Sequence, residues 1–380
     1  MTSPIDGVLP RFDDVQRIAV LRGGGLGDLL FAMPAIDALA AAYPGARITL
    51  LGTPLAEALL RNRPGPVSDV RVLPFAKGVY SPNGREDPSA VATFHDRMRA
   101  ERFDLACQLH GGGRNANPFL LALGARHTIG TRTTDAAPLE RWLPYVYYQH
   151  EVFRWLEVAA LAGAPDAGYE PRIHVTSHEQ ALATGHLDPG GLVVLHPGAT
   201  DPRRRWPVDR FAALARRCAD EGRRVVVVGD GEDAHIADAV AAAAAPPLGS
   251  AGDEASAALP VESLAGRLSL SELVALLSVA DVFVGNDSGP RHLAQAVDTA
   301  TVGLFWFGNL VNGGPMTRGR HRVHLSWTTH CPVCGQDVTQ VGWTAERCQH
   351  DPSFLEGIGV DAVYDDVRAL MATRAPVRGR

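Results

Sequence analysis

Lysine is almost missing from this chain. Lys77 is the only one, and every other member of the 36 basic residues is arginine. Any phosphate held by a basic side chain is therefore expected to meet an arginine fork, which can grip it with two parallel hydrogen bonds. An excess of positive charge is missing too: the formal net charge is −6, which gives no basic footprint for a nucleic acid. No apolar run approaches the roughly 18–20 residues of a membrane span, and residues 1–16 carry neither the basic nor the apolar segment of a secretory leader. The expectation is a soluble, cytosolic protein. Five cysteines in 380 residues make no disulfide scaffold. Alternating strand and helix patterns over such a length suit two α/β domains of about 150–200 residues each.

What is present centres on residues 280–296, ADVFVGNDSGPRHLAQA. Residues 281–284 read as a buried strand, 285–289 as a turn of small polar residues, and 291–297 as a helix. Such a turn offers free backbone N–H groups at the positive end of a helix dipole, which suits a phosphate. Asn286, Asp287, Ser288 and Gly289 would stand at the strand's carboxyl end, where open α/β sheets bind ligands. An ordinary strand-to-helix turn fits the same residues.

The same design opens the chain. A strand at 17–21 (RIAVL) runs into RGGGLGD, residues 22–28, and then an alanine-rich helix expected from 29 to 42, with Pro34 set to kink or delay it. Asp28, beside Gly24, Gly25 and Gly27, is either a helix cap or a base able to take a proton from an incoming hydroxyl. Between 64 and 99 the pattern degrades, with 81–89 (SPNGREDPS) a loop. A further strand, 104–109, ends in His110, three glycines and Arg114, a second candidate wall for the first turn; a structural role for His110 is the alternative.

A boundary falls near 177–191, after which the alternation restarts with the strand LVVL, 192–195. Thr200, Asp201 and the run Arg203, Arg204 and Arg205 follow it directly. The three arginines read as a diphosphate clamp or as a solvated charge run. The strand RVVVV, 224–228, leads to Glu232 and Asp233, where an acid can accept hydrogen bonds from ribose hydroxyls. Near the end, Cys331, Cys334, Cys348 and His350 offer three sulfurs and an imidazole, enough for a structural zinc or iron; reduced thiols packing a loop are the alternative. Residues 360–373 read as an amphipathic helix, with a frayed tail beyond.

Taken together, RIAVLRGGGLGDLLFAMPAIDAL, DLACQLHGGGR, LHPGATDPRRRWPVDRFAALA, VVVVGDGED and the specific GNDSGPRHLA core resemble glycosyltransferase family 9, the heptosyltransferase-like enzymes of lipopolysaccharide core assembly. The resemblance covers most of the chain in order. It implies a GT-B fold: two Rossmann-like domains facing across a cleft, residues 1–180 for the acceptor, 190–355 for the nucleotide-sugar donor, and a helix and tail, 358–380, packing back on the first domain. It also implies inverting transfer of a heptose from ADP-heptose to a saccharide or lipid-linked acceptor at the inner face of the cytoplasmic membrane. Catalysis would need no cofactor.

By the same resemblance Asp28 is the base, and Gly24, Gly25, Gly27, His110 and Arg114 line the acceptor side. Thr200, Arg204, Arg205, Asp233, Asn286, Asp287, Ser288, Gly289 and His292 form the donor site. Arg204 stands where the family usually has lysine, and Trp306-Phe307-Gly308-Asn309 replaces a Gly-Pro-Thr found in many members. Two alternatives remain: a nucleotide-sugar epimerase of the same fold, and a non-enzymatic sugar-nucleotide-binding subunit of a glycan-assembly complex.

Overall fold

The computed structural model describes residues 7–165, 168–186, 191–245, 259–339 and 346–373. The chain divides into two units, Met1–His174 and Val175–Arg380. Each is built on a six-stranded, wholly parallel sheet.

In the first unit β1 (Arg17–Leu21), β2 (Arg47–Gly52), β3 (Val67–Val72), β4 (Leu105–Gln108), β5 (His127–Arg132) and β6 (Arg141–Pro144) lie in the order β3-β2-β1-β4-β5-β6. In the second, β7 (Leu192–His196), β8 (Arg224–Val227), β9 (Val261–Ser263), β10 (Val282–Asn286), β11 (Ala300–Trp306) and β12 (His321–Ser326) lie in the order β12-β11-β10-β7-β8-β9. Both are the Rossmann order 3-2-1-4-5-6, read from opposite edges. The central strands are buried on both faces, which is why RIAVL, LVVLH and VFVGN are near-continuous apolar runs rather than alternating ones. In this topology the strand order reverses between β1 and β4 and between β7 and β10, and crevices for ligands open at the carboxyl ends of those pairs. Every motif singled out in the sequence, apart from the cysteines and Arg114, sits at or beside one of those two switch points.

Several expectations need correction. The first helix starts at Leu26, not 29, and continues to Ala42 with Pro34 buried inside it. The helix after β10 is Gly289–Ala296, two residues earlier than expected, because Pro290 occupies its first turn, where a missing N–H costs nothing. The stretch 64–99 holds β3 and a helix, Pro88–Glu101. Asp87 caps it by accepting from the Ala90 N–H at 3.0 Å, and Pro88 opens it. Only Met98 of that helix is buried, so the apolar periodicity that would announce it is absent.

The division between units comes at 174/175, ahead of the expected boundary, because the helix Ser177–Ala183 packs on the helix Leu270–Val279 of the second unit. The last helix, Val360–Ala372, was expected to return to the first domain. Its buried face belongs to the second unit instead: Val363, Val367 and Leu370 share one core with Phe211, Leu214 and Val282. No helix among the described residues is long and apolar enough to cross a membrane.

Candidate active site

At the first switch point Gly25 is the N-cap residue and Asp28 the third residue of the helix. The Asp28 carboxylate curls back and accepts from the Gly25 N–H through Oδ2 at 2.9 Å. This requires a glycine at 24: its φ is +94°, and a Cβ there would lie 2.5 Å from Asp28 Oδ2. Beneath the turn lies Arg22, only 4% exposed. Its guanidinium donates to Asp28 Oδ1 at 2.9 Å, to the Leu109 carbonyl at 2.7 Å and to Glu151 Oε2 at 3.2 Å. Glu151 in turn is held by the Trp155 indole N–H at 3.0 Å and by Arg154. Two arginines and two carboxylates thus form a neutral quartet, which makes the burial of Arg22 tolerable.

Half of the Asp28 side chain remains exposed. Each oxygen accepts one bond from the protein, leaving lone pairs for an incoming hydroxyl. His110 borders the same loop; its Nε2–H donates to the Gly78 carbonyl at 3.2 Å. Burial, reinforced by the Arg22 charge, pulls its pKa down to about 4, so it is neutral at neutral pH. Gly27 lies within the first helical turn. Arg114 is not part of this set: it is strongly exposed and pairs with Asp135 at 3.4 Å.

At the second switch point the strand ends converge. His196, closing β7, points Nε2–H at Asp233 Oδ2, 3.2 Å away, which leaves Nδ1 to accept from the Ser288 hydroxyl at 3.0 Å. The hydrogen bond from His196 holds the Asp233 carboxyl below the usual range despite partial burial. The close approach needs Gly198, where a Cβ would stand 2.0 Å from Asp233 Oδ2. Asn286, fully buried, ties the turns together: it accepts from the Trp206 N–H at 3.0 Å and donates to the Pro197 carbonyl at 2.8 Å. Ser288 is the N-cap of the helix Gly289–Ala296 but makes no side-chain cap bond, because its hydroxyl is turned to His196.

Asp287 does not present a bare carboxylate to a ligand. Oδ1 accepts from His292 at 3.1 Å and Oδ2 from Asn309 at 2.8 Å, with Arg204 at 3.6 Å. Burial alone would raise its pKa, yet the bond from His292 and the charges of Arg291 and Arg204 outweigh it and hold the group ionised. His292 is locked from the other side by Arg291, which is fully buried over the Phe305 ring. Arg205 donates to the Ala199 carbonyl at 2.9 Å, and Thr200 is exposed at the head of the turn.

The cysteines converge as well. Ligand atoms of Cys331, Cys334, Cys348 and His350 lie within 4.8 Å of one another, with Cys331 and Cys348 buried and the other two exposed. The backbone N–H of Cys334 is the main influence drawing the Cys331 thiol down to about 7. Three sulfurs and one imidazole in a closed cluster are a donor set suited to zinc or iron.

The model of glycosyltransferase family 9 (heptosyltransferase) matches residues 91–335, well over half of the chain. The chain belongs to glycosyltransferase family 9. It is similar to the lipopolysaccharide heptosyltransferase 2 of Salmonella typhimurium, 26% identical over 315 residues, covering 76% of this chain and 82% of the relative. Among solved structures it resembles the ADP-heptose LPS heptosyltransferase II of E. coli, with a TM-score of 0.71 at 20% identity over 94% and 98% of the two chains. A more distant fold relative is the iron-containing dodecameric glycosyltransferase TibC of enterotoxigenic E. coli, with a TM-score of 0.55 at 13% identity over 95% and 78%. The two Rossmann-like units are thus the halves of a GT-B fold, and the protein is a glycosyltransferase.

Within this family 9 member, the residues that sequence reasoning missed are Arg22, Glu151 and Trp155 under the Asp28 loop, and His196 and Asn309 at the 286–289 turn. Arg22 could have been noticed as a charge ending an otherwise apolar strand. Asn309 lies in the stretch that departs from the family pattern, and the departure supplies Asp287 with a donor. Glu151 could not have been found: it reaches Arg22 from a helix 129 positions away in the sequence.

Proposed function

We propose that this protein transfers a heptose from ADP-heptose to a saccharide acceptor of the lipopolysaccharide core type, with inversion at the anomeric carbon. The observation that carries the donor half is the uncapped amino end of the helix Gly289–Ala296, set beside Arg204 and Arg205. Pro290 has no N–H and the Arg291 N–H is bonded to the Ser288 carbonyl at 3.1 Å, so it is the Gly289 N–H, with the helix dipole and the arginine forks, that suits the diphosphate of a nucleotide sugar. Asp233, beside the same turn, is the acid for ribose, and Thr200, Ser288, Gly289 and His292 complete the donor site around it.

In the reaction, Asp28 takes the proton of the acceptor hydroxyl as its oxygen bonds the anomeric carbon. The bond from that carbon to the diphosphate breaks, and ADP leaves with its new charge against Arg204 and the helix end. Arg22 fixes the carboxylate that receives the proton. Gly24, Gly25 and neutral His110 border the space in which an acceptor hydroxyl would approach. The acceptor is a saccharide or lipid-linked glycan, and the protein works at the cytoplasmic face of the membrane.

The Cys331, Cys334, Cys348 and His350 cluster is the structural site of a zinc or iron ion, a reading supported by its donor set and by the iron named for TibC. The ion would cross-link the loop and takes no part in the transfer.

Calorimetric titration with ADP, ADP-heptose, UDP and UDP-sugars tests the donor assignment. ADP forms alone should bind, and Arg204→Ala should weaken them by about ten- to a hundredfold, the range of one charge-assisted hydrogen bond. A preference for UDP would overturn the donor. Absence of binding to any of them would favour the non-enzymatic subunit.

A further inference from the structure

The cysteine cluster and the arginine turn are joined by a short piece of chain. Six residues after Cys348, the Phe354 N–H donates to the Arg203 carbonyl at 2.7 Å, and the Ser353 hydroxyl donates to the Arg205 carbonyl at 2.6 Å. One residue before Cys348, Arg347 donates to Asp201 at 3.3 Å. The Arg203 guanidinium lies 5.2 Å from the Phe354 ring centroid. The turn 201–205 is therefore gripped at its start and on both sides of Arg204.

At its far end the segment is anchored, the Phe354 carbonyl accepting from the Ser326 and Thr328 hydroxyls and Leu355 being buried in the unit's core, but the loop that carries the four ligands has only a small core of its own. Its core consists of Cys331, Val338, Cys348 and Phe354, with Trp306 packed alongside. Between Cys348 and His350 the only direct polar contact is a weak one, from the Cys348 thiol to the His350 carbonyl at 3.8 Å. A cluster with so few buried apolar side chains opens locally at small cost, and a metal bound to four of its side chains closes it by mass action.

We propose that the metal site formed by Cys331, Cys334, Cys348 and His350 governs donor binding, with Arg347, Ser353 and Phe354 as positioning residues that transmit its order to the arginine clamp. This rests on the metal and donor readings above. Loading the site fixes the carbonyls of Arg203 and Arg205, and with them the direction of the Arg204 side chain between them. The ion touches neither sugar nor phosphate. It acts by setting what fraction of molecules holds the clamp in its binding geometry.

The test uses the full chain in three states: as purified, stripped with a chelator under reducing conditions, and reloaded with zinc(II) or, without oxygen, iron(II). Elemental analysis gives metal per chain, and calorimetry gives the ADP affinity of each state. Stripping should weaken ADP binding about tenfold, an ordinary coupling between two sites, and reloading should restore it. In the double variant Arg347→Ala, Ser353→Ala the metal should stay bound while ADP affinity falls, and stripping should then cost less than it does in the parent, since only the Phe354 contact is left to transmit it. Ser353→Thr, which keeps the hydroxyl, should bind like the parent.

Equal ADP affinity of loaded and stripped protein, with metal content shown to differ, overturns the coupling alone. So does a loss on stripping that simply adds to that of the double variant. Failure of the reduced chain to hold either metal overturns the metal reading and the inference with it, whereas ADP binding to none of the states overturns the donor reading.

Discussion

The two units present the same local design, a central parallel strand, a glycine turn and a helix, and use it in opposite ways. In the first, the helix end is closed by its own side chain: Asp28 accepts from Gly25 at 2.9 Å, so the carboxylate occupies the place an anion would take. In the second, Ser288 occupies the cap position, but its hydroxyl is drawn away by His196 and the helix end stays open. On the proposed function the first turn repels a phosphate and offers a base, while the second is receptive to a phosphate. The position equivalent to Asp28 in the second helix is Arg291, which cannot close the end with a carboxylate, and Asp287, just ahead of the cap, is turned to His292 and Asn309. A pattern of glycines and acids does not distinguish these cases; the partners of each side chain do.

The comparison can be broken most severely at Asp28. Asp28→Asn should lower kcat by about 10²- to 10⁴-fold, the usual worth of a positioned base, and leave ADP affinity unchanged. Matching losses in kcat and in ADP affinity would mean that the first turn serves the donor. Next in size is Ser288→Asp, which puts a carboxylate at the cap position of the second helix. ADP binding should fall by about ten- to a hundredfold, since an anion now faces the diphosphate. Thermal unfolding should show no loss of stability, because a capping carboxylate favours the helix. Unchanged ADP binding would show that the open end is not the phosphate site.

The smallest effect concerns His110. Its folded-state pKa of about 4 lies below the ordinary 6.5, so in that window the unfolded chain binds the extra proton. Its contribution is complete above pH 6.5 and is lost as the pH falls toward 4. His110→Asn should flatten the pH dependence of the urea midpoint between these values. An unaltered slope would place the histidine in a wetter setting than the loop provides.

Much of the fold was legible because parallel strands buried on both faces must be apolar throughout, and RIAVL, LVVLH and VFVGN announce themselves. The helix Pro88–Glu101 was not, because a helix that buries only Met98 has no apolar stripe to read; the Asp87-Pro88 start was its one signal. Of the proposed site residues, Asp28, Asp233 and the 286–289 turn stand out in the sequence because they follow apolar strands and lie among glycines, and they do lie at the two switch points. The pairing of Arg114 with Asp135 was not legible, because a basic residue after three glycines looks the same whether it turns toward the loop or toward Asp135. Arg22, Glu151 and His196 act through partners distant in sequence, a relation that no local window contains.

The position of the last helix has a genetic consequence. Val363, Val367 and Leu370 complete the core of the second unit, and the Trp206 indole N–H donates to the Ile358 carbonyl at 3.0 Å. A premature stop codon just ahead of Val360 would thus open the unit that carries Arg204 and Asp287. Such an allele would present as a loss of nucleotide binding, although it leaves every residue of the proposed donor site in the encoded chain.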